Sequence, residues 1–180
     1  GGAQAVDYAR DPVAFITDHI QRNELGGKFV LMPHQAEILR TAFAFDKKSG
    51  RLPYDTIVLS ASKKSGKTAL NAALTLWFAF TQEPPNELLV VANDLEQAQG
   101  RVFKACVGML QHNPTLRASA EITGKVIRLS NGTSILPLAA DYSGAAGSNH
   151  GLVSFDELWG FTLESARRIW AELTPVPTRR

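Results

Sequence analysis

The stretch Thr56 to Thr68, TIVLSASKKSGKT, constrains this chain more than any other. Thr56, Ile57, Val58 and Leu59 form an apolar, β-branched run that predicts a buried strand of the central parallel kind. Ala61 to Thr68 then follows the spacing G-x-x-x-x-G-K-[ST], with Ala61 in place of the first glycine. The next segment, Ala69 to Phe80, lacks Gly and Pro and is rich in Ala and Leu, which predicts a helix opening at the loop. A strand, loop and helix in that order aim successive backbone N–H groups and a helix N-terminus at one point, where polyphosphate oxygens can sit. Ser62, Lys63, Lys64 and Ser65 supply the loop, and Gly66 lets the backbone come close. Lys67 can reach the β- and γ-phosphates, and Thr68 can offer its hydroxyl to Mg²⁺. The same residues also fit a solvated basic turn before an ordinary helix, so a second element has to decide.

That element is Leu152-Val153-Ser154-Phe155-Asp156-Glu157, a mostly apolar strand ending in two carboxylates. Parallel sheets present the C-terminal ends of their strands to the ligand crevice. Asp156 would then emerge beside Thr68 and bind Mg²⁺, usually through water, because Mg²⁺ dehydrates reluctantly. Glu157 would orient and polarise the water that attacks a γ-phosphate. Alone, the pair also reads as a solvated acidic helix start. Both motifs, in this order and each on an apolar strand, point to nucleotide binding.

The remaining chain agrees with an α/β architecture. Asp7 to Asn23 predicts a helix started by Asp11-Pro12 and ended by Gly26-Gly27, and Pro33 suits the first turn of a second, with Ile38, Leu39, Ala42 and Phe43 on one face. Gln35 on that helix can both donate and accept at an adenine edge, or simply be a surface glutamine. Asp46 to Asp55 reads as a loop, Leu88 to Ala92 as a second buried strand, and Leu95 to Gln111 as a long helix capped by Asn93-Asp94 and stopped by Asn113-Pro114. Ser119–Ile122, Lys125–Leu129 and Thr133–Pro137 are short β-rich pieces, with a hairpin signal at Asn131-Gly132, and predict an antiparallel extension of the main sheet. Asp141 to Gly151 is glycine-rich and predicts a loop.

Composition narrows the classes. With 180 residues the chain fits one domain with a sizeable core, and 44% hydrophobic and 20% charged residues are ordinary for a globular protein. A net charge of +2 permits a nucleic-acid partner without demanding one. The single cysteine, Cys106, excludes a disulfide framework and a cysteine metal site and suggests a reducing compartment. No apolar run has membrane-spanning length, so no membrane association is expected. Arg101, Arg167 and Arg168 are either surface helix residues or candidates for stabilising charge on a transferring phosphoryl group.

Taken together, PHQ (Pro33 to Gln35), SASKKSGKT (Ser60 to Thr68), NDLEQAQGRVF (Asn93 to Phe103) and LVSFDELWGF (Leu152 to Phe161) resemble the ATPase domain of the large terminase subunit of tailed bacteriophages. The resemblance implies a P-loop NTPase of the RecA-like class, a mostly parallel sheet flanked by helices. It implies ATP and Mg²⁺ as ligands, Lys63 as a γ-phosphate contact, Gln35 as the adenine contact, and Gln97-Ala98 as part of a family segment. Asp156 and Glu157 match its metal and catalytic pair, with Lys67 in the catalytic set. The implied activity is packaging of double-stranded DNA into a procapsid by a homo-oligomeric ring, with a portal protein and a small terminase subunit as partners, in the cytoplasm of the infected host. The family's nuclease is expected to be absent, leaving residues 1–180 as a single, truncated ATPase domain. A helicase-type ATPase of superfamily 2 and a nucleotide-dependent binding module with little turnover are the other readings.

Overall fold

A computed structural model of the chain describes residues 5–84, 86–92, 101–139, 150–162 and 164–173. In chain order the elements are α1 (Pro12–His19), α2 (Pro33–Ala42), α3 (Lys67–Thr81), β1 (Glu87–Ala92), α4 (Val102–His112), α5 (Pro114–Arg117), β2 (Ala120–Ile122), β3 (Ile127–Leu129), β4 (Ser134–Ala139), β5 (His150–Phe155), a 3₁₀ turn (Leu158–Gly160) and α6 (Glu164–Leu173). The strands form one mixed sheet in the order β2-β3-β4-β1-β5. β1 runs parallel to both β4 and β5, while β2, β3 and β4 are joined antiparallel. The expected antiparallel extension is present, and β4 belongs to it and to the parallel core at once. Pro137, which has no N–H to offer, lies where β4 has run past β3.

After the exposed Glu87, β1 is apolar because it is covered on both faces. Leu88 and Val90 join the larger core with α1, α3 and α4, whereas Leu89 and Val91 join a smaller one with Phe161, Ile169 and Leu173. α3 is apolar on nearly every side because it sits between the sheet, α1 and α4, and Trp77 on it is fully buried, its indole N–H donating to the Tyr8 carbonyl at 2.7 Å. α4 packs so closely that any side chain at Gly108 would strike the backbone of Glu24. Cys106 on α4 is buried and burial pushes its thiol up to about 12, so it is packing rather than a nucleophile. Among the described residues no helix is long and apolar enough to cross a membrane.

Three expectations change. Thr56 to Leu59 is not a strand: it has no ladder partner among the described residues, and Ile57, Val58 and Leu59 are 44%, 71% and 41% exposed. Thr56 and Ile57 instead line an open groove with His34, Ile38, Thr41 and Tyr54 on and beside α2. β-Branched residues favour strands by fitting a partnered pleated surface, and here no described residue supplies the partner. The first helix is confined to Pro12–His19, because Asp11 caps it through the Ala14 N–H at 2.9 Å and the chain turns away after Ile20. The buried face of α2 is Gln35, Ala36, Leu39 and Ala42, with Ile38 turned to the groove. The Asn93-Asp94 cap, Gln97-Ala98 and most of the 141–151 loop lie outside the described residues.

Candidate nucleotide site

The site is built on the start of α3 and the end of β5. Gly66 precedes α3 with φ +80°, a left-handed conformation that glycine adopts freely, and no side chain caps the helix. The first backbone N–H groups of α3 therefore face outward without an internal acceptor, the arrangement that draws anions. Lys64 (φ +63°) and Glu157 (φ +49°) are the non-glycine residues with positive φ among the described residues, and both belong to the two motifs. Backbone strain of this kind gathers where a site dictates the path of the chain.

Each predicted residue can be located. Lys67 folds back on the loop, its ammonium donating to the carbonyls of Ala61 at 2.7 Å and Ser62 at 2.8 Å. Lys63 and Lys64 are exposed. The Ser65 hydroxyl is buried and has no partner. Gln35 is 8% exposed, and its amide is engaged on both sides: the oxygen accepts the Met32 N–H at 3.0 Å, and the nitrogen donates to the Ser65 carbonyl at 3.5 Å. It thus ties the start of α2 to the loop. Glutamine three residues into a helix is the signal for the first of these bonds, and PHQ carried it.

The acidic pair lies just beyond β5. The Asp156 N–H donates to the Val91 carbonyl at 3.0 Å, which fixes its depth against β1. Its Oδ2 is buried without a partner among the described residues. Burial raises the Asp156 carboxyl above its usual range; Arg101 opposes the rise, Glu157 adds to it, and Lys67 opposes it again. Glu157 is ion-paired with Arg101 from the start of α4. The Ser154 hydroxyl donates to Asn71 Oδ1 on α3 at 2.6 Å. From that bond β5 advances two residues to Asp156, about 6.6 Å, while α3 steps back four residues to Lys67, about 6 Å. The charge of Lys67 is felt at the Asp156 carboxyl, so the start of α3 and the end of β5 lie at the same end of the sheet. The chain is similar in fold to a phage large terminase.

The similar structure is the crystal structure of the HK97 bacteriophage large terminase, with a TM-score of 0.75 and 23% sequence identity. The match covers 93% of this chain and 35% of that terminase, so the chain spans about a third of its length. Comparison with family models and with curated proteins returns no match. At this identity the terminase establishes the fold and leaves the chemistry to the residues.

Those residues fit Mg²⁺ and a polyphosphate. An orphaned carboxylate oxygen, an uncapped helix start and a buried unpartnered hydroxyl are acceptors and donors awaiting an outside partner. Among the described residues no group of three or more His, Cys, Asp or Glu gathers. Sequence reasoning missed the Asn71–Ser154 bond, which joins positions with no local pattern between them. It reached Arg101 only as a surface residue or a phosphoryl-stabilising cation, and the structure pairs it with Glu157 instead. Arg168 pairs with Glu164 on its own helix. Arg128 sits opposite Glu121 in the β2–β3 ladder.

Proposed function

We propose that this chain is a P-loop ATPase, the hydrolytic part of a motor that drives double-stranded DNA into a viral procapsid. The observation that carries the reading is the buried Asp156 carboxylate oxygen, partnerless among the described residues, at the same end of the sheet as the uncapped start of α3. The terminase-like fold supports it. In this reading the N–H groups of the loop and of α3 hold the β- and γ-phosphates, Lys67 neutralises them, and Lys63 reaches the γ-phosphate. Thr68 and Asp156 would hold Mg²⁺. Held there, Mg²⁺ would supply positive charge against the negative charge that develops in phosphoryl transfer.

Two rearrangements are required of the chain. Lys67 must exchange the Ala61 and Ser62 carbonyls for phosphate, and Glu157 must leave Arg101 to align the attacking water. Both exchange one charged or polar partner for another, so each is a change of partner rather than an exposure of bare charge. DNA contacts in such a motor run to the phosphate backbone and weaken with salt. A homo-oligomeric ring, a portal protein, a small terminase subunit and the host cytoplasm complete the proposal.

ATP turnover measured against the concentration of the chain tests it, with Glu157→Gln as control. A motor with shared sites gives turnover that rises faster than concentration and is lost in the variant, while ATP still binds. Absence of ATP binding overturns the reading. The Arg101–Glu157 pair favours a second one, a module that binds nucleotide and hydrolyses little. For such a module Glu157→Gln is indifferent, and DNA does not stimulate turnover.

A further inference from the structure

We propose that Asn71 and Ser154 are the positioning pair of this site, fixing α3 against β5 so that Thr68 and Asp156 can share one metal ion. The inference rests on the nucleotide-binding reading above and adds residues outside both motifs. Asn71 lies one turn along α3 from Thr68, and Ser154 lies in β5 two residues before Asp156, which follows the strand. Their hydrogen bond, 2.6 Å long and half-buried, links the two elements directly. Around it the contacts are apolar: Leu152 of β5 packs into the larger core, which includes Leu70, Ala72 and Ala73 of α3. Apolar contact is non-directional and tolerates sliding, whereas a hydrogen bond sets a distance and an angle.

The need for such a tie follows from Asp156 itself. Its Oδ2 accepts from no described residue, and what links the carboxyl to α3 is the charge of Lys67, which sets no angle. Its backbone N–H is fixed to Val91, which places it along β1 only. The distance between Thr68 and Asp156 is therefore inherited from the packing of α3 on β5, and the Asn71–Ser154 bond is its directional component. Groups that orient metal ligands without touching the metal commonly matter about 10- to 100-fold in affinity or activity.

The test is binding of a fluorescent ATP analogue to the whole chain, titrated with Mg²⁺, for Ser154→Ala, Asn71→Ala, the double variant and Ser154→Thr. Ser154→Ala and Asn71→Ala should each raise the Mg²⁺ concentration for half-maximal enhancement by about tenfold. Binding without Mg²⁺ should stay unchanged, the double variant should be no worse than either single one, and Ser154→Thr, which keeps the hydroxyl, should restore the wild-type midpoint. A lower melting temperature with an unmoved Mg²⁺ midpoint would make the bond merely structural and overturn the proposal. Failure of the unmutated chain to bind the analogue would overturn the nucleotide reading itself, a result visible before any variant is made.

Discussion

Asp156 carries its charge at a cost. Its carboxyl is raised by burial, so the folded chain holds the proton more tightly than the unfolded chain does. For an acid shifted upward, the associated stability is present below the unfolded pKa and is lost as pH rises through the folded one. At neutral pH the ionised group is therefore a burden that a bound cation would relieve. Asp156→Asn, which removes the charge, is expected to stabilise the free chain at pH 7 by less than about 1 kcal/mol, because the carboxyl is only half-buried and solvent screens it. The gain should vanish under acid conditions, where the aspartic acid is already neutral. Thermal melts across pH measure this, and an equal gain at all pH values would show that charge is not the cause. The same variant should lose the Mg²⁺ dependence of nucleotide binding. Sequence reasoning reached Asp156 and Glu157 by position and type. It could not reach the ion pair that occupies Glu157, because Arg101 is brought there only by the packing of α4.

At the scale of elements, much of the fold was written in the chain. α3, β1 and β5 each announced themselves: a Gly- and Pro-free run, a continuous apolar stretch, and an apolar stretch ending in carboxylates. The β3–β4 hairpin followed from Asn131-Gly132, where Gly132 has φ +90°. Thr56 to Leu59 failed for a physical reason: its composition says what it could pair with, and only the assembled sheet says whether a partner is there. Asn113 shows the opposite case, a residue whose sequence role was small and whose structural role is large. Beyond ending α4, its buried side chain accepts the N–H groups of Gln21 (2.9 Å) and Arg22 (3.1 Å) and donates to the carbonyls of Arg22 (2.9 Å) and Met109 (2.7 Å). Asn113→Ala would leave several of these groups unpaired and should cost about 2–3 kcal/mol in chemical denaturation. A loss below about 0.5 kcal/mol would mean that water replaces the amide at little cost.

For the molecule as a whole, the sheet divides the chain into regions of unequal protection. Among the described residues β1 is paired on both edges and covered on both faces, whereas β5 pairs with β1 alone and Thr56–Leu59 stands outside the sheet. Hydrogen exchange in the nucleotide-free chain should find the amides of Leu88 to Val91 among the slowest and those of Ile57 to Leu59 among the fastest. Protection of Ile57 to Leu59 matching that of β1 would contradict the arrangement described. The unequal sheet also explains why the motifs were easier to read than the region between them. Loop, helix and acidic strand end are local patterns, but their mutual placement is a property of β1, the strand to which both neighbours are registered.

His150 opens β5, and its ring Nε2 is 3.1 Å from the carbonyl of Leu173, the last residue of α6. The helix that follows the acidic pair thus returns along its strand and is fastened at the end remote from Asp156. Tension applied at Leu173 would enter the sheet there and travel lengthwise through β5. The strand would then be loaded in shear against β1, with its hydrogen bonds resisting together instead of parting one at a time.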